Sequence, residues 1–312
     1  MSWIELSLDT THEAVDWVYT LLATIQFAGE VQVANYSSLD RSQNWTFTIR
    51  LYLPNESQVR AQVETIANLL SPLHRTGLTT ELEAAVLEER PPCRLNALAY
   101  PVGRRFLILG AEAEARSQPD KIPLKISTAL SFGSGLHPAT VLSLKLIERY
   151  TVSEMAALDL GSGSGILSVA MAKLGAKVLA LDNDAIAVRS TQATACLNGV
   201  ASQVTVRAGS LGAGNGLGHW MGGKASEADL AVDETTSFAA NFDLIAANIF
   251  AHIHIALASD YQRVLCQGGL LIAAGFTSDR EADVAAAMAK MGLTAIADER
   301  SGEWVALALR LR

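Results

Sequence analysis

The chain has 312 residues, half of them hydrophobic, with 32 acidic against 24 basic side chains and a formal net charge of -8. That length accommodates two domains with substantial cores. The acidic balance argues against a nucleic-acid backbone as direct partner and suits a basic protein or a small molecule, while no apolar run approaches the roughly 18 residues of a membrane helix.

The opening Met1-Ser2-Trp3-Ile4-Glu5 has neither a basic region nor an apolar signal core, so a cytoplasmic protein is expected. Cys93, Cys196 and Cys266 are far apart in sequence. They suggest neither a metal site nor a disulfide framework and read as buried packing residues.

Ile4, Leu6 and Leu8 alternate as one face of a strand. Thr10 and Glu13 form a capping-box pattern ahead of Val15, Val18, Tyr19 and Leu22 at helical spacing. A short strand around Val31 and Val33 follows, then a longer one from Trp45 to the break at Pro54-Asn55. Val59, Val63, Ile66 and Leu70 mark a second amphipathic helix. Strand, helix, two strands and helix predict a small α+β sandwich of ferredoxin-like type over residues 1–90. It carries no catalytic pattern, so it reads as a structural domain or a docking module. Residues 80–90 are charged and read as partly helical. Pro91-Pro92 opens a linker and lead-in strand over 91–124.

From residue 125 to 312 the pattern is α/β. Strands are predicted near 156–159, 178–182, 204–207, 244–247 and 270–274. Helices are predicted from Pro138 to about residue 150 and near 166–174, 185–197, 252–265 and 280–291. Two last strands, near 294–297 and 304–309, close the sheet as an antiparallel pair. The expectation is a doubly wound, mostly parallel seven-stranded sheet. Residues 212–242 interrupt the pattern, glycine-rich and then acidic, and read as a mobile insertion.

Chemistry concentrates at Asp159-Leu160-Gly161-Ser162-Gly163-Ser164-Gly165 and at Asp182-Asn183. A strand ends in an acid, turns through three alternating glycines, and the next strand ends in another acid. Such a turn lets backbone approach an adenosine-bearing cofactor, and the distal acid can hold ribose hydroxyls. The dinucleotide fingerprint needs its third glycine one residue later, where Ile166 stands. The spacing therefore favours S-adenosylmethionine over a nicotinamide dinucleotide. Asp159 is placed to meet the ligand's ammonium, directly or through water, and Asp182 to accept from the ribose. Asn248 ends the fourth strand at the edge where ligands bind in such sheets. Its amide oxygen can accept from a substrate amine, or the residue can simply cap the following helix. Residues 132–140 form a loop read as covering the cofactor, with Phe132, Ser134 and His137 as candidate contacts. His252 and His254 resemble a metal pair, but on a helix that spacing sends them to nearly opposite faces, so no metal is expected.

Ser131-Phe132-Gly133-Ser134-Gly135-Leu136-His137-Pro138-Ala139-Thr140 resembles the A-F-G-T-G-T-H-P-T-T loop of the methyltransferases that modify ribosomal protein L11, the PrmA-like family. Residues 158–176 resemble that family's glycine turn and helix, Ala247-Asn248-Ile249-Phe250-Ala251 its A-N-I-L-A, and Glu303-Trp304-Val305-Ala306-Leu307 its closing strand. The resemblance implies methyl transfer from S-adenosylmethionine to lysine or N-terminal amines of free ribosomal protein L11, rather than the rRNA-bound protein. It also implies that the N-terminal domain holds this basic substrate. Ser134 and Leu136 replace the loop's threonines, Ser162 replaces the turn's cysteine, and Ile126-Ser127-Thr128 replaces a D-P-G. These departures leave two alternatives: a methyltransferase with another substrate, and a cofactor-binding protein without activity.

Overall fold

In the computed structural model the described residues are 2–25, 27–37, 45–89, 98–110, 120–126, 134–212 and 242–312. Phe132, Cys93 and residues 213–241 of the predicted insertion lie outside them. The chain forms two compact units, one of residues 1–101 and 107–137, the other of 102–106 and 138–312.

The first unit is built on a four-stranded antiparallel sheet. Its strands are β1 (Trp3–Thr10), β2 (Glu30–Asn35), β3 (Phe47–Pro54) and β4 (Glu83–Leu87), in the order β2-β3-β1-β4. Helices α1 (Ala14–Thr24) and α2 (Val59–Arg75) complete a β-α-β-β-α-β chain order. This is the ferredoxin-like arrangement, with one strand more than the sequence shows. Leu6 and Leu8 of β1, Phe47, Ile49 and Leu51 of β3, and Val15, Val18 and Leu22 of α1 are buried. Each such side chain contributes about 1.5–3 kcal/mol relative to exposure.

Two local expectations fail here. The 80–90 stretch is a strand, not partly helical, because β4 pairs with β1 from Trp3↔Leu87 to Ser7↔Glu83 and that partner overrides its helix-forming Glu and Ala residues. The capping box also fails. Thr10 is the last residue of β1, paired with Phe47, and its hydroxyl bonds to the Thr11 carbonyl, while α1 starts after Glu13 with no side-chain cap. A three-stranded sheet of β5 (Ala99–Val102), β6 (Phe106–Gly110) and β7 (Ile122–Ile126) follows.

The second unit holds a seven-stranded sheet. In chain order it comprises α3 (Pro138–Tyr150), β8 (Ala156–Leu160), α4 (Ile166–Lys173), β9 (Lys177–Asp182), α5 (Ala185–Leu197) and β10 (Val204–Ala208). Then come β11 (Phe242–Asn248), α6 (Ala251–Ala256), α7 (Ala258–Val264), β12 (Leu265–Thr277), α8 (Ser278–Lys290), β13 (Leu293–Ser301) and β14 (Trp304–Leu311). The strand order is β10-β9-β8-β11-β12-β14-β13. The first five strands are parallel and β14 runs antiparallel between β12 and β13. This is the doubly wound, mostly parallel sheet expected. The helix predicted at 252–265 is two helices, because the chain breaks between Ala256 and Ala258 and then enters β12 at Leu265.

The near-continuous apolar character of the central strands follows from burial on both faces. Ala157 and Leu158, Leu244 to Ala247, and Leu271 to Ala274 are all buried. Winding from β8 proceeds outward through β9 and β10, then returns to β8's other side with β11. The strand order therefore reverses between β8 and β11, which opens a crevice at their carboxyl ends. No helix among the described residues is long and apolar enough to cross a membrane. Cys196 is exposed on α5 and Cys266 is half-buried, 3.5 Å from Asp243 Oδ1, so the two described cysteines are not the fully buried packing residues expected.

Candidate active site

The glycine turn sits at the carboxyl end of β8, beside that crevice. Gly161, Gly163 and Gly165 all have positive φ, at 73°, 54° and 81°. Gly165 also faces α5 so closely that a Cβ would lie 2.8 Å from the Cα of Thr191. The early third glycine thus lets α4 start tight against α5. Gly165→Ala combines a left-handed alanine with a backbone clash, for an expected loss of about 3 kcal/mol of unfolding free energy. Denaturant unfolding checks this, and a change below about 0.5 kcal/mol would contradict it.

Thr191, fully buried, holds the turn from outside. Its hydroxyl donates to the Gly163 carbonyl at 3.1 Å and accepts from Ser162 Oγ at 2.9 Å. Nothing local in the sequence marks Thr191, which is 28 residues beyond the carbonyl it holds.

Asp182, at the end of β9, is pinned by backbone donors. Its Oδ2 accepts from Gly163 N and its Oδ1 from Asp184 N, each at 2.9 Å. Burial pushes its carboxyl pKa up against these bonds. Each oxygen keeps a lone pair for a ribose hydroxyl. Asn183 follows directly, and Asp184 caps α5 by accepting from Ile186 N at 2.8 Å.

Asp159 is wholly buried. Its Oδ2 accepts from Ser168 Oγ at 2.5 Å, while its Oδ1 has no hydrogen-bond partner among the described residues. Burial pushes this carboxyl up to about 7, opposed by the Ser168 bond. A buried carboxylate oxygen without a partner is costly unless a ligand supplies a donor. The S-adenosylmethionine ammonium is such a donor, so the residues present fit that group.

Asn248 ends β11 one residue beyond the Ala247↔Leu160 pair, level with Gly161 across the crevice. It does not cap α6, whose N-cap is Phe250 without a side-chain bond. Instead its Nδ2 donates to Thr140 Oγ1 at 3.1 Å. With Nδ2 as the donor, Oδ1 is the acceptor end of the amide. Thr140 was not singled out by sequence reasoning, although it lies inside the loop motif. The signal was its hydroxyl in the first turn of α3.

Ser134 and His137 are described within the first unit. Ser134 N donates to Asp16 Oδ1 at 2.7 Å, and Ser134 Oγ accepts from Leu136 N at 3.1 Å. Burial raises the Asp16 pKa and lowers that of His137, whose charged form Asp16 favours. The Leu136 carbonyl accepts from His12 Nδ1 at 3.0 Å, which leaves Nε2 to accept from Tyr100 OH at 3.1 Å. Leu136 itself is fully buried, so the hydroxyl lost at this position is replaced by packing. His252 stacks on Phe250, whereas His254 is buried against Ala274 and Tyr261, the divergence that helical spacing requires.

A doubly wound sheet with a glycine turn after β8, a ribose-type acid after β9 and a positioned asparagine after β11 defines an S-adenosylmethionine-dependent methyltransferase. The model of the ribosomal protein L11 methyltransferase (PrmA) family matches residues 2–312, and the chain belongs to that family. It is 38% identical to the ribosomal protein L11 methyltransferase of Chloroflexus aurantiacus, over 99% of this chain and 98% of that one. It is 36% identical to the protein of the same name from Herpetosiphon aurantiacus, over 99% of each. Among solved structures it is similar to the ribosomal protein L11 methylase of Lactobacillus delbrueckii subsp. bulgaricus. There the TM-score is 0.55 and the identity 28%, covering 69% of this chain and 99% of that one.

Proposed function

We propose that this enzyme methylates amines, lysine side chains or the N-terminal amine, of ribosomal protein L11, free in the cytoplasm. The first unit serves as the module that holds this basic substrate. The acidic balance of the chain and the names of its relatives support that reading.

The observation that carries the amine chemistry is the Asn248–Thr140 pair. An ammonium cannot attack, because its lone pair is occupied, so the acceptor must arrive neutral or lose its proton on desolvation. Asn248 Oδ1, held by Thr140 through the other end of the amide, accepts from the remaining N–H and aims the lone pair. When bound, S-adenosylmethionine would supply a sulfonium methyl for displacement by the neutral amine, the carbon–sulfur pair staying on sulfur and the amine proton passing to solvent. Alignment of the acceptor supplies much of the rate. Asp182 would hold the ribose hydroxyls, and Asp159 Oδ1 the ammonium of the amino-acid portion, directly or through water.

The raised Asp159 pKa gives this assignment a pH signature. In the free enzyme the folded pKa is about 7, against an ordinary value of 3.8. The folded state therefore holds the proton more tightly, and the group's contribution to stability declines as pH rises from about 4 to about 7. A cation beside Oδ1 favours the ionised form, so binding of S-adenosylmethionine releases a proton. Affinity is expected to rise about fivefold between pH 6 and 7. Calorimetry at pH 6 in two buffers of different ionisation enthalpy reads the proton directly. Asp159→Asn should abolish both effects, and pH-independent binding by the wild type would remove Asp159 from the ammonium site.

A further inference from the structure

The seam behind Asn248 contains a buried histidine. His254 on α6 is wholly buried, and its Nε2 lies 2.9 Å from the carbonyl oxygen of Ala274. A carbonyl only accepts, so Nε2 carries the hydrogen. The neutral ring then offers Nδ1 as an acceptor, and the hydroxyl of Tyr261, also wholly buried, donates to it at 3.2 Å. Phe276 meets the imidazole edge to face with ring centres 5.6 Å apart. Burial lowers the His254 pKa to about 4 and raises that of Tyr261. The ring is therefore neutral and the phenol protonated at physiological pH, as the two bonds require.

The carbonyl that His254 holds belongs to the back wall of Asn248. Ala274 is the register partner of Asn248 in the β11–β12 pair, and its carbonyl also accepts from Ile249 N at 3.0 Å. The next residue, Gly275, has φ 91°. A Cβ there would lie 2.9 Å from Asn248 Oδ1 and 2.5 Å from the Ile249 carbonyl. The Gly275 backbone thus packs against the Asn248 amide oxygen, and the direction of the Ala274–Gly275 peptide is set by two N–H donors to the Ala274 carbonyl, Ile249 N and His254 Nε2.

We propose that His254, with its tautomer set by the Ala274 carbonyl and its ring held by Tyr261, is a positioning residue for methyl transfer. It fixes the Ala274–Gly275 peptide so that the Asn248 amide keeps its oxygen toward the attacking amine. This inference rests on the reading of Asn248 given above. It acts through Asn248 and touches neither substrate nor cofactor.

Two histidine variants separate positioning from packing. His254→Leu fills much of the volume but cannot donate, whereas His254→Gln restores an N–H donor toward Ala274. Methyl transfer from labelled S-adenosylmethionine to ribosomal protein L11 is measured beside cofactor affinity and melting temperature. His254→Leu is expected to lower kcat about tenfold with cofactor Kd within about threefold of wild type, and His254→Gln to recover most of that loss. In an Asn248→Ala background, His254→Leu should cost nothing further. A readout independent of turnover is the Asn248 side-chain amide signal in nitrogen-15 NMR of the cofactor-free protein. It should move in His254→Leu and return near its wild-type position in His254→Gln.

Wild-type kcat and an unmoved amide signal in His254→Leu would overturn the proposal. So would equal impairment of both variants, or a loss that adds fully to that of Asn248→Ala. Should His254→Leu not fold, Tyr261→Phe decides, since it keeps the ring and removes the donor to Nδ1. Its kcat should fall about threefold with the amide signal displaced, and wild-type values of both would overturn the proposal. An Asn248→Ala enzyme with unchanged kcat would instead overturn the amine-positioning reading on which this inference stands.

Discussion

Asn248→Ala is expected to lower kcat for ribosomal protein L11 by about 100-fold while leaving S-adenosylmethionine Kd within about threefold of wild type. Positive charge develops on the acceptor nitrogen as the new bond forms, so an N–H bond to the asparagine oxygen strengthens in the transition state. Removing it deprives the reacting amine of its guide. The same substitution also leaves the buried Thr140 Oγ1 without its donor, and the space vacated by the asparagine side chain can admit a water to it. A split of this kind, kcat down and cofactor affinity kept, belongs to a residue working on the acceptor. Equal losses in both would place Asn248 in cofactor binding alone. Single-turnover kinetics with cofactor saturating separates the two.

Asp182→Ala is expected to raise the S-adenosylmethionine Kd by about 100-fold or more. Two effects combine. The carboxylate's bonds to the ribose hydroxyls are lost, each about 1.5–3 kcal/mol because one partner is charged. The glycine turn also loses the acceptor that fixes Gly163 N, bonded at 2.9 Å. Asp182→Asn separates them, because the amide oxygen can still accept one backbone bond and one hydroxyl, and about tenfold weakening is expected there. Calorimetric titration measures both variants. Wild-type affinity in Asp182→Ala would contradict the placement of the ribose at β9.

The architecture of the second unit was legible because its central strands β8, β9 and β11 are short, largely apolar and each followed by a helix signal. Winding order and the glycine turn then point to one edge of the sheet. Asp159, Gly161 and Asp182 could be read there as a group because they lie on neighbouring strand ends of one α/β unit. What the sequence could not show was pairing at a distance. The hydroxyl that orients Asn248 belongs to Thr140, 108 residues earlier, and the one that holds Gly163 belongs to Thr191, 28 residues later. The orphaned oxygen of Asp159 likewise depends on which of its two oxygens Ser168 takes.

In the first unit the misread segments fail for one physical reason. Glu81 to Glu89 is rich in helix formers, and only the presence of β1 makes β4 a strand. Thr10 and Glu13 have capping-box spacing, but Thr10 is committed to β1, so local capping chemistry loses to the sheet. Cys196 has the composition of a packing residue and no local feature that puts it on the outer side of α5. The HxH pair was divided correctly from helical geometry alone, yet the bonds that His254 makes to Ala274 and Tyr261 come from elements further along the chain.

Incubating the purified chain with methyl-labelled S-adenosylmethionine and ribosomal protein L11 from the same organism, followed by peptide mass spectrometry, addresses the central claim most directly. The account predicts whole methyl increments on lysine or N-terminal amines of the ribosomal protein, absent in Asn248→Ala. Measurable cofactor binding with no label on the ribosomal protein, or label on a group other than an amine, would contradict it.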